Sequence, residues 1–485
     1  MLPSSVLQTF QKVWGYADFR PPQAEIIENL LRDRDSLVLL ATGGGKSICF
    51  QLPAILKQGL TLVISPLLAL MEDQVQDLQR RELPAATLHS NLTSRERHQV
   101  LQKLPHLRLL YVSPETLLSQ PVWERLCAPT LTIAGIMIDE AHCLVQWGDT
   151  FRPTYRRLGA VRSALMQHKP LEHPRIAIAA FTATANSHTQ AKLISCLQLE
   201  QPQVIRTSPY RANLSLNVAI AWTPLCRKHQ TIRFIHSQQG QTGLIYVRSR
   251  RETEELAEWL STQSFRTAAY HAGLPSEQRR QIETAWIEGE YPFVVCTSAF
   301  GLGLNNPNTR WVLHFQAPLT LAEYIQEVGR AGRDGNPATA LMLVSEPTGF
   351  LDNSDRTRQD FFLQQQQKQL QKAQMLLPKL PRKGNFSDVI KGNPDRALVL
   401  GMLHSAGKLV WHSPFAYEIR AGNHKFAEID RTPLLQMQSY MSTRHCRWAF
   451  LMQAFGFERE AKTLRCGVCD RCLPQNKKRS QNLTP

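Results

Sequence analysis

Along the first 350 residues, short apolar runs alternate with longer stretches whose apolar positions fall three and four apart. The runs are SLVLL (36–40), TLVI (61–64), RLLYV (108–112), AGIMI (134–138) and IAIAAF (176–181). A second series is GLIYV (243–247), TAAY (267–270), FVVC (293–296), WVLHF (311–315) and ALMLV (340–344). Uninterrupted apolar runs of this length predict strands covered on both faces, and the stretches between them predict helices. The pattern is that of an α/β protein with parallel sheets, and it occurs twice. RTSPYRANLS (206–215) breaks it and reads as a linker, so lobes are expected at 1–205 and 206–350.

Beyond residue 350 the pattern changes. QQQQKQLQKAQ (364–374) reads as an exposed helix or a disordered run, and LPKLPRKGN (377–385) as a connector. Residues 395–422 read as a helix followed by a hairpin, with Phe415, Tyr417 and Ile419 alternating as in a strand. This suggests a small winged-helix-like, DNA-contacting segment at about 390–425 within a basic connector (351–440). Packing support for the cysteine-rich module at 441–475 is the competing reading. A polar tail (476–485) ends the chain.

Charge sharpens this picture. Lys and Arg number 56 against 40 Asp and Glu, a net +16, of which +11 falls in residues 351–485. A basic region on a globular body points to a polyanion, commonly nucleic acid. Composition, 43% hydrophobic and 20% charged, excludes wholesale disorder. No run approaches the ~20 apolar residues of a membrane span. MLPSSVLQTFQKVWGY lacks the pattern of a secretory signal. The expectation is a cytoplasmic protein, nucleoid-associated if bacterial, with no membrane partner.

Candidate chemistry begins at ATGGGKS (41–47), a glycine-rich loop between a strand and a helix. Gly43, Gly44 and Gly45 permit close backbone approach to phosphates, and the helix N-terminus supplies N–H donors. Lys46 can neutralise the β- and γ-phosphates and Ser47 can ligate magnesium. Leu40 stands where the strict phosphate-loop pattern has glycine. IMIDEAH (136–142) ends a strand with two acids. Asp139 can hold magnesium through water, and Glu140 can orient or deprotonate the attacking water. QEVGRAGRDG (326–335) carries Arg330 and Arg333, which can offset γ-phosphate charge in the transition state; Arg330 ranks first. Because these arginines fall in the second lobe, ATP is expected between lobes.

Ten cysteines include a terminal cluster: Cys446, then nineteen residues, then Cys466-Gly-Val-Cys469-Asp-Arg-Cys472. Four thiolates at this spacing suit a structural zinc ion; an iron–sulfur cluster and a redox CxxC are the alternatives. The other six cysteines read as small buried hydrophobes.

Taken together, these motifs resemble a superfamily 2 helicase, and within it the RecQ family. The stretches that carry the resemblance are GYADFRPPQAEII (15–27), ATGGGKSICFQLPA (41–54), VISPLLALMEDQV (63–75), DEAHCLVQWGDTFRPTYRRLG (139–159), FTATA (181–185), AAYHAGL (268–274), AFGLGLNNPN (299–308) and QEVGRAGRDG. They cover roughly residues 10–345, and CRxxxLxxxFG with CGxCDxC is similar to the family's zinc module. The resemblance implies two RecA-like parallel-sheet lobes followed by a small helical zinc-binding module. It implies ATP, Mg2+ and Zn2+ as cofactors and single-stranded and duplex DNA as partners.

By the same resemblance, Tyr16, Arg20 and Gln23 read adenine, with Thr42 joining the phosphate loop. Trp147, Phe151 and Arg152 sense DNA and couple it to ATP, and Thr182 and Thr184 relay between lobes. Asp149, Thr150, Asn306 and Thr116 depart from the family's usual residues. Thirteen residues follow Cys472, which implies a short form without the C-terminal helical domain. The activity implied is 3′→5′ translocation with duplex unwinding in DNA repair and recombination. A DNA-stimulated ATPase or translocase without robust unwinding, and an RNA helicase, stand as alternatives.

Overall fold

A computed structural model describes residues 2–41, 43–145, 153–183, 185–300, 306–422, 426 and 428–473. The chain divides into two compact units, and neither is continuous in sequence. One comprises residues 1–207 and 364–429, the other 208–363 and 430 onward.

The first unit holds a seven-stranded sheet: β1 (Ser36–Leu39), β2 (Leu60–Ile64), β3 (Ala85–Leu88), β4 (Leu109–Val112), β5 (Ile133–Ile138), β6 (Ile178–Thr182) and β7 (Gln203–Arg206). Their order is β3-β4-β2-β5-β6-β1-β7, and all pairs are parallel. β1, β2, β4, β5 and β6 are buried along their whole length. This is why they read as continuous apolar runs: helices cover both faces, leaving no polar side to alternate with.

The second unit repeats the plan with β8 (Leu214–Ala221), β9 (Gly243–Tyr246), β10 (Thr267–Tyr270), β11 (Phe293–Cys296), β12 (Trp311–His314) and β13 (Ala338–Ser345). The order is β10-β11-β9-β12-β13-β8, again all parallel. The break in the chain falls at Thr207–Ser208. The stretch expected to be linker therefore also contributes the last residue of β7 and the start of β8.

The cysteine-rich segment covers the edge strand β8. Trp448 Nε1 donates to Leu214 O (2.9 Å), Ser215 Oγ to Val468 O (2.6 Å) and Asp470 N to Leu216 O (3.2 Å). An edge that would otherwise expose unpaired peptide groups is closed in this way.

Residues 364–429 form a small layer of their own. The glutamine-rich run lies in a helix, Ser354–Leu376. The helix read between 395 and 422 is Arg396–Ser405. The hairpin is β15 (Leu409–Trp411) with β16 (Ala416–Ile419), joined by β14 (Lys383–Asn385) in an antiparallel sheet ordered β14-β16-β15.

The tip of this hairpin is packed rather than presented. Phe415 meets Trp123 edge-to-face at 5.2 Å, and Arg157 donates to Pro414 O (3.2 Å) while stacking on Phe386 at 3.8 Å. All five residues belong to the first unit. The tip of the segment therefore packs on the first parallel-sheet lobe.

Candidate active site

In the first unit, β1 runs into the glycine loop and the loop into the helix Lys46–Leu56. Gly45 sits at φ 76, where L residues are strained, and a Cβ there would lie 2.3 Å from Gln23 Nε2. The loop is braced from within: Gly44 N donates to Ala41 O (3.0 Å), and Gln23 Nε2 donates to Gly44 O (3.2 Å). The other end of the Gln23 amide accepts from Arg20 N (2.9 Å). Gln23 is thus buried against the phosphate loop, while Tyr16 is half exposed beside Phe10 and Arg20 is exposed. Thr42 lies outside the described residues.

β5 delivers the two acids to the same place. Lys46 Nζ lies 3.3 Å from Glu140 Oε1, and Asp139 Oδ1 accepts from Glu140 N (2.9 Å). His142 Nδ1 sits 3.2 Å from both Glu140 Oε2 and Thr182 Oγ1. Burial and the neighbouring Glu140 push Asp139 up to about 6 despite Lys46. Burial also works to raise Glu140, but Lys46 and His142 outweigh it and hold that carboxyl well below the usual range. His142, opposed by burial but favoured by Cys143 and Glu140, is held up at about 10. The result is two adjacent acids of different basicity beside a cation.

This donor set fits magnesium-nucleotide. It offers a backbone cradle that a side chain would fill, one lysine, a hydroxyl at Ser47 and hard carboxylate oxygens. Sequence reasoning did not use His142, although the DEAH tetrapeptide contains it. Its link to Thr182 joins the ends of β5 and β6.

In the second unit, Arg330 and Arg333 lie in the turn after the helix Leu321–Val328. Arg330 is buried beside Tyr246, and Arg333, which also feels Tyr246, is half-buried. Burial and the neighbouring Arg330 and Arg211 push Arg333 down to about 9. Beneath the turn, Glu327 receives Arg248 (2.7 and 2.9 Å) and His314 (2.8 Å).

Cys446, Cys466, Cys469 and Cys472 converge, with all four Sγ atoms within 4.8 Å of one another. Cys466 and Cys472 Sγ are 3.8 Å apart. A tetrahedral zinc with bonds of about 2.3 Å requires sulfur–sulfur separations of ~3.8 Å. The cluster therefore fits a single zinc ion, and a multi-iron cluster would hold its ligands farther apart. Arg447, next to the first ligand, grips Asp470 between the last two (2.6 and 2.8 Å), which fixes the cage.

Other expected residues fall differently. Trp147, Asp149, Thr150, Phe151, Arg152 and Thr184 lie outside the described residues. Asn306 is buried and closes a local turn by accepting from Asn308 N (3.0 Å). Thr116 lies in the short helix Pro114–Leu117 capped by Ser113.

Comparison with known proteins agrees with this layout. The DEAD/DEAH box helicase family matches residues 20–193, the helicase conserved C-terminal domain 226–335, and the RecQ zinc-binding family 408–473. The ATP-dependent DNA helicase RecQ of Pasteurella multocida is 40% identical over 351 residues, covering 72% of this chain and 53% of its own length. The solved structure of Mss116p bound to ssRNA and AMP-PNP shares the fold at 15% identity, with a TM-score of 0.60 over 85% of this chain and 89% of that one. The ATP-dependent DNA helicase RecQ of Synechocystis is 50% identical over 473 residues, 97% of this chain and 98% of its own. With two helicase lobes, a four-cysteine zinc cage and that identity along nearly its entire length, this chain belongs to the RecQ helicase family.

Proposed function

We propose that this chain hydrolyses ATP and uses the reaction to move 3′→5′ along single-stranded DNA and separate duplex DNA, in repair or recombination. The reading includes a cytoplasmic site of action, nucleoid-associated if the chain is bacterial; among the described residues no helix is long and apolar enough to cross a membrane. The observation that carries the reading is the Lys46–Glu140–His142–Thr182 chain of contacts behind the glycine loop in a RecQ-family sequence.

Bound with magnesium, ATP supplies the phosphoanhydride to be cleaved and most of the site's negative charge. Gly43 and Gly45 offer peptide N–H groups, Gly44 closes the loop through Ala41 O, and Lys46 places its ammonium where phosphate charge accumulates. Ser47 and Asp139 offer oxygen ligands of the kind magnesium takes. Glu140, ionised at neutral pH, accepts a proton from water, and Lys46 and His142 keep it oriented. Gln23 already holds the loop through Gly44, so its exchange onto adenine would tie base recognition to loop geometry, with Tyr16 and Arg20 beside it.

Arg330 and Arg333, which both feel Tyr246, are assigned to meet developing charge, with Arg330 ranked first as in the sequence. Trp147, Phe151 and Arg152 are assigned the DNA-sensing role, since aromatic faces stack on bases without sequence preference.

The test is phosphate release with and without single-stranded DNA. Glu140→Gln is expected to lower turnover by at least ~10²-fold, the low end for a general base, with ATP affinity retained. Turnover within threefold of wild type would remove Glu140 from the reaction, and equal stimulation by RNA and DNA would favour an RNA helicase.

A further inference from the structure

The segment between the lobes does more than connect them. Arg211 stands four residues past Thr207, where the second unit begins. Its guanidinium is largely withdrawn from solvent, and it donates Nη1 to Gly329 O (3.1 Å) and Nη2 to Gly332 O. Gly329 immediately precedes Arg330, and Gly332 immediately precedes Arg333. One rigid fork therefore holds the peptide in front of each arginine.

Asn213 adds a second grip. Its Nδ2 donates to Gly332 O (2.8 Å) and to Asn336 O (2.7 Å), and its backbone O accepts from Ala338 N at the start of β13 (2.8 Å). Gly332, at φ 62, is pressed onto this support: a Cβ there would lie 2.6 Å from Asn213 Nδ2 and 2.9 Å from Asn336 O. Gly332 N is held by Thr309 O (2.8 Å). The turn's one carboxylate, Asp334, is drawn aside by Arg310 in a two-pronged pair.

We infer that Arg211 is a positioning residue for hydrolysis, with Asn213 as its second support: it fixes the backbone of the arginine turn so that Arg330 and Arg333 are presented in one geometry. The inference rests on the proposed role of those arginines. The physical logic is geometric. Arginine's planar fork reaches two carbonyls at once, which a lysine ammonium does not reproduce, and misplacing a transition-state donor by about 1 Å is enough to cost ~10²-fold.

The test is a double-mutant cycle on DNA-stimulated ATP turnover in the full-length protein. Arg211→Met is expected to lower kcat by roughly 10- to 100-fold while leaving the KM for ATP within about threefold, because ground-state contacts to the nucleotide stay in place. Arg211→Lys recovers part of the loss, and Asn213→Ala gives a smaller fall of the same kind. In an Arg333→Ala background, Arg211→Met costs less than about threefold further, since a support has little left to support.

Unchanged zinc content and unfolding midpoint in Arg211→Met show that the loss is not misfolding; if that variant fails to fold, the Asn213→Ala cycle carries the test. The inference is overturned if Arg211→Met keeps kcat within twofold of wild type, or if it costs the same factor with and without Arg333. If Arg333→Ala and Arg330→Ala both turn over normally, the role of the arginines themselves fails.

Discussion

Replacing Phe415 with alanine removes the hairpin-tip ring from its seat beside Trp123. A fully buried Phe→Ala change costs about 3–5 kcal/mol. Phe415 is only partly buried, which scales the cost to roughly 2–3 kcal/mol, of which the edge-to-face contact with Trp123 supplies ~0.5–1.5. The Arg157 bond to Pro414 O would weaken with it. Because the tip is where the hairpin meets the parallel-sheet lobe, the cost appears first as local opening of the small layer. At about 1.4 kcal/mol per factor of ten, the open population rises roughly 30- to 150-fold. Native-state hydrogen exchange of the β14, β15 and β16 amides reads this directly, and DNA-stimulated ATPase serves as the control. A docked tip predicts faster exchange in these strands with ATP turnover preserved. Exchange within threefold of wild type, together with a selective loss of duplex unwinding, would refute the docking argument and return Phe415 to the role of a DNA-facing wing.

Three further outcomes follow from the structure. Cys469→Ser should lower bound zinc from one per chain and speed exchange in residues 440–473 and along β8, because structural zinc contributes folding energy directly; bound iron, or a metal-free protein with an unchanged C-terminal region, would contradict the zinc cage. Trp147→Ala and Phe151→Ala should reduce DNA stimulation of the ATPase more than the basal rate; equal loss of both would mean packing. Glu327 is held at about 2, where burial is outweighed by Arg248 and His314. Its contribution to stability is therefore complete above the ordinary glutamate range and fades as pH falls toward 2, a loss on the order of 1–2 kcal/mol between pH 5 and pH 3. Urea midpoints at the two pH values measure it, and Glu327→Gln should lower stability at pH 5 and flatten the dependence.

Much of the architecture was legible because the chemistry is local. Strands buried on both faces have no choice but to be apolar, so β1, β2, β5, β9, β11 and β12 announce themselves in the sequence. Glycine at φ 76 beside Lys46, two acids at the end of β5, and four cysteines in a fixed spacing are likewise written in a few consecutive residues. β3 (AATL) and β7 (QVIR) were not legible, being short and partly polar sheet edges. β8 (LSLNVAIA) alternates as a strand should, but it begins inside a stretch that reads as linker. The fate of the hairpin depended on Trp123 and Arg157, far away in sequence, and no local pattern names a distant partner. The same holds for Arg211 and Asn213, whose partners Gly329 and Gly332 are ordinary glycines until the fold brings them together. The surroundings of Arg330 and Arg333 were illegible for a related reason: burial beside Tyr246 is a tertiary property.

ATP hydrolysis at the Lys46–Glu140 site is expected to drive separation of DNA strands. Strand displacement on forked DNA carrying a single-stranded 3′ or 5′ tail, with RNA duplexes alongside and Lys46→Ala as the control, tests it most directly. ATP-dependent displacement of DNA from the 3′ tail alone is expected, abolished in Lys46→Ala while DNA binding persists. Robust DNA-stimulated hydrolysis without displacement, or displacement that survives in Lys46→Ala, would contradict it.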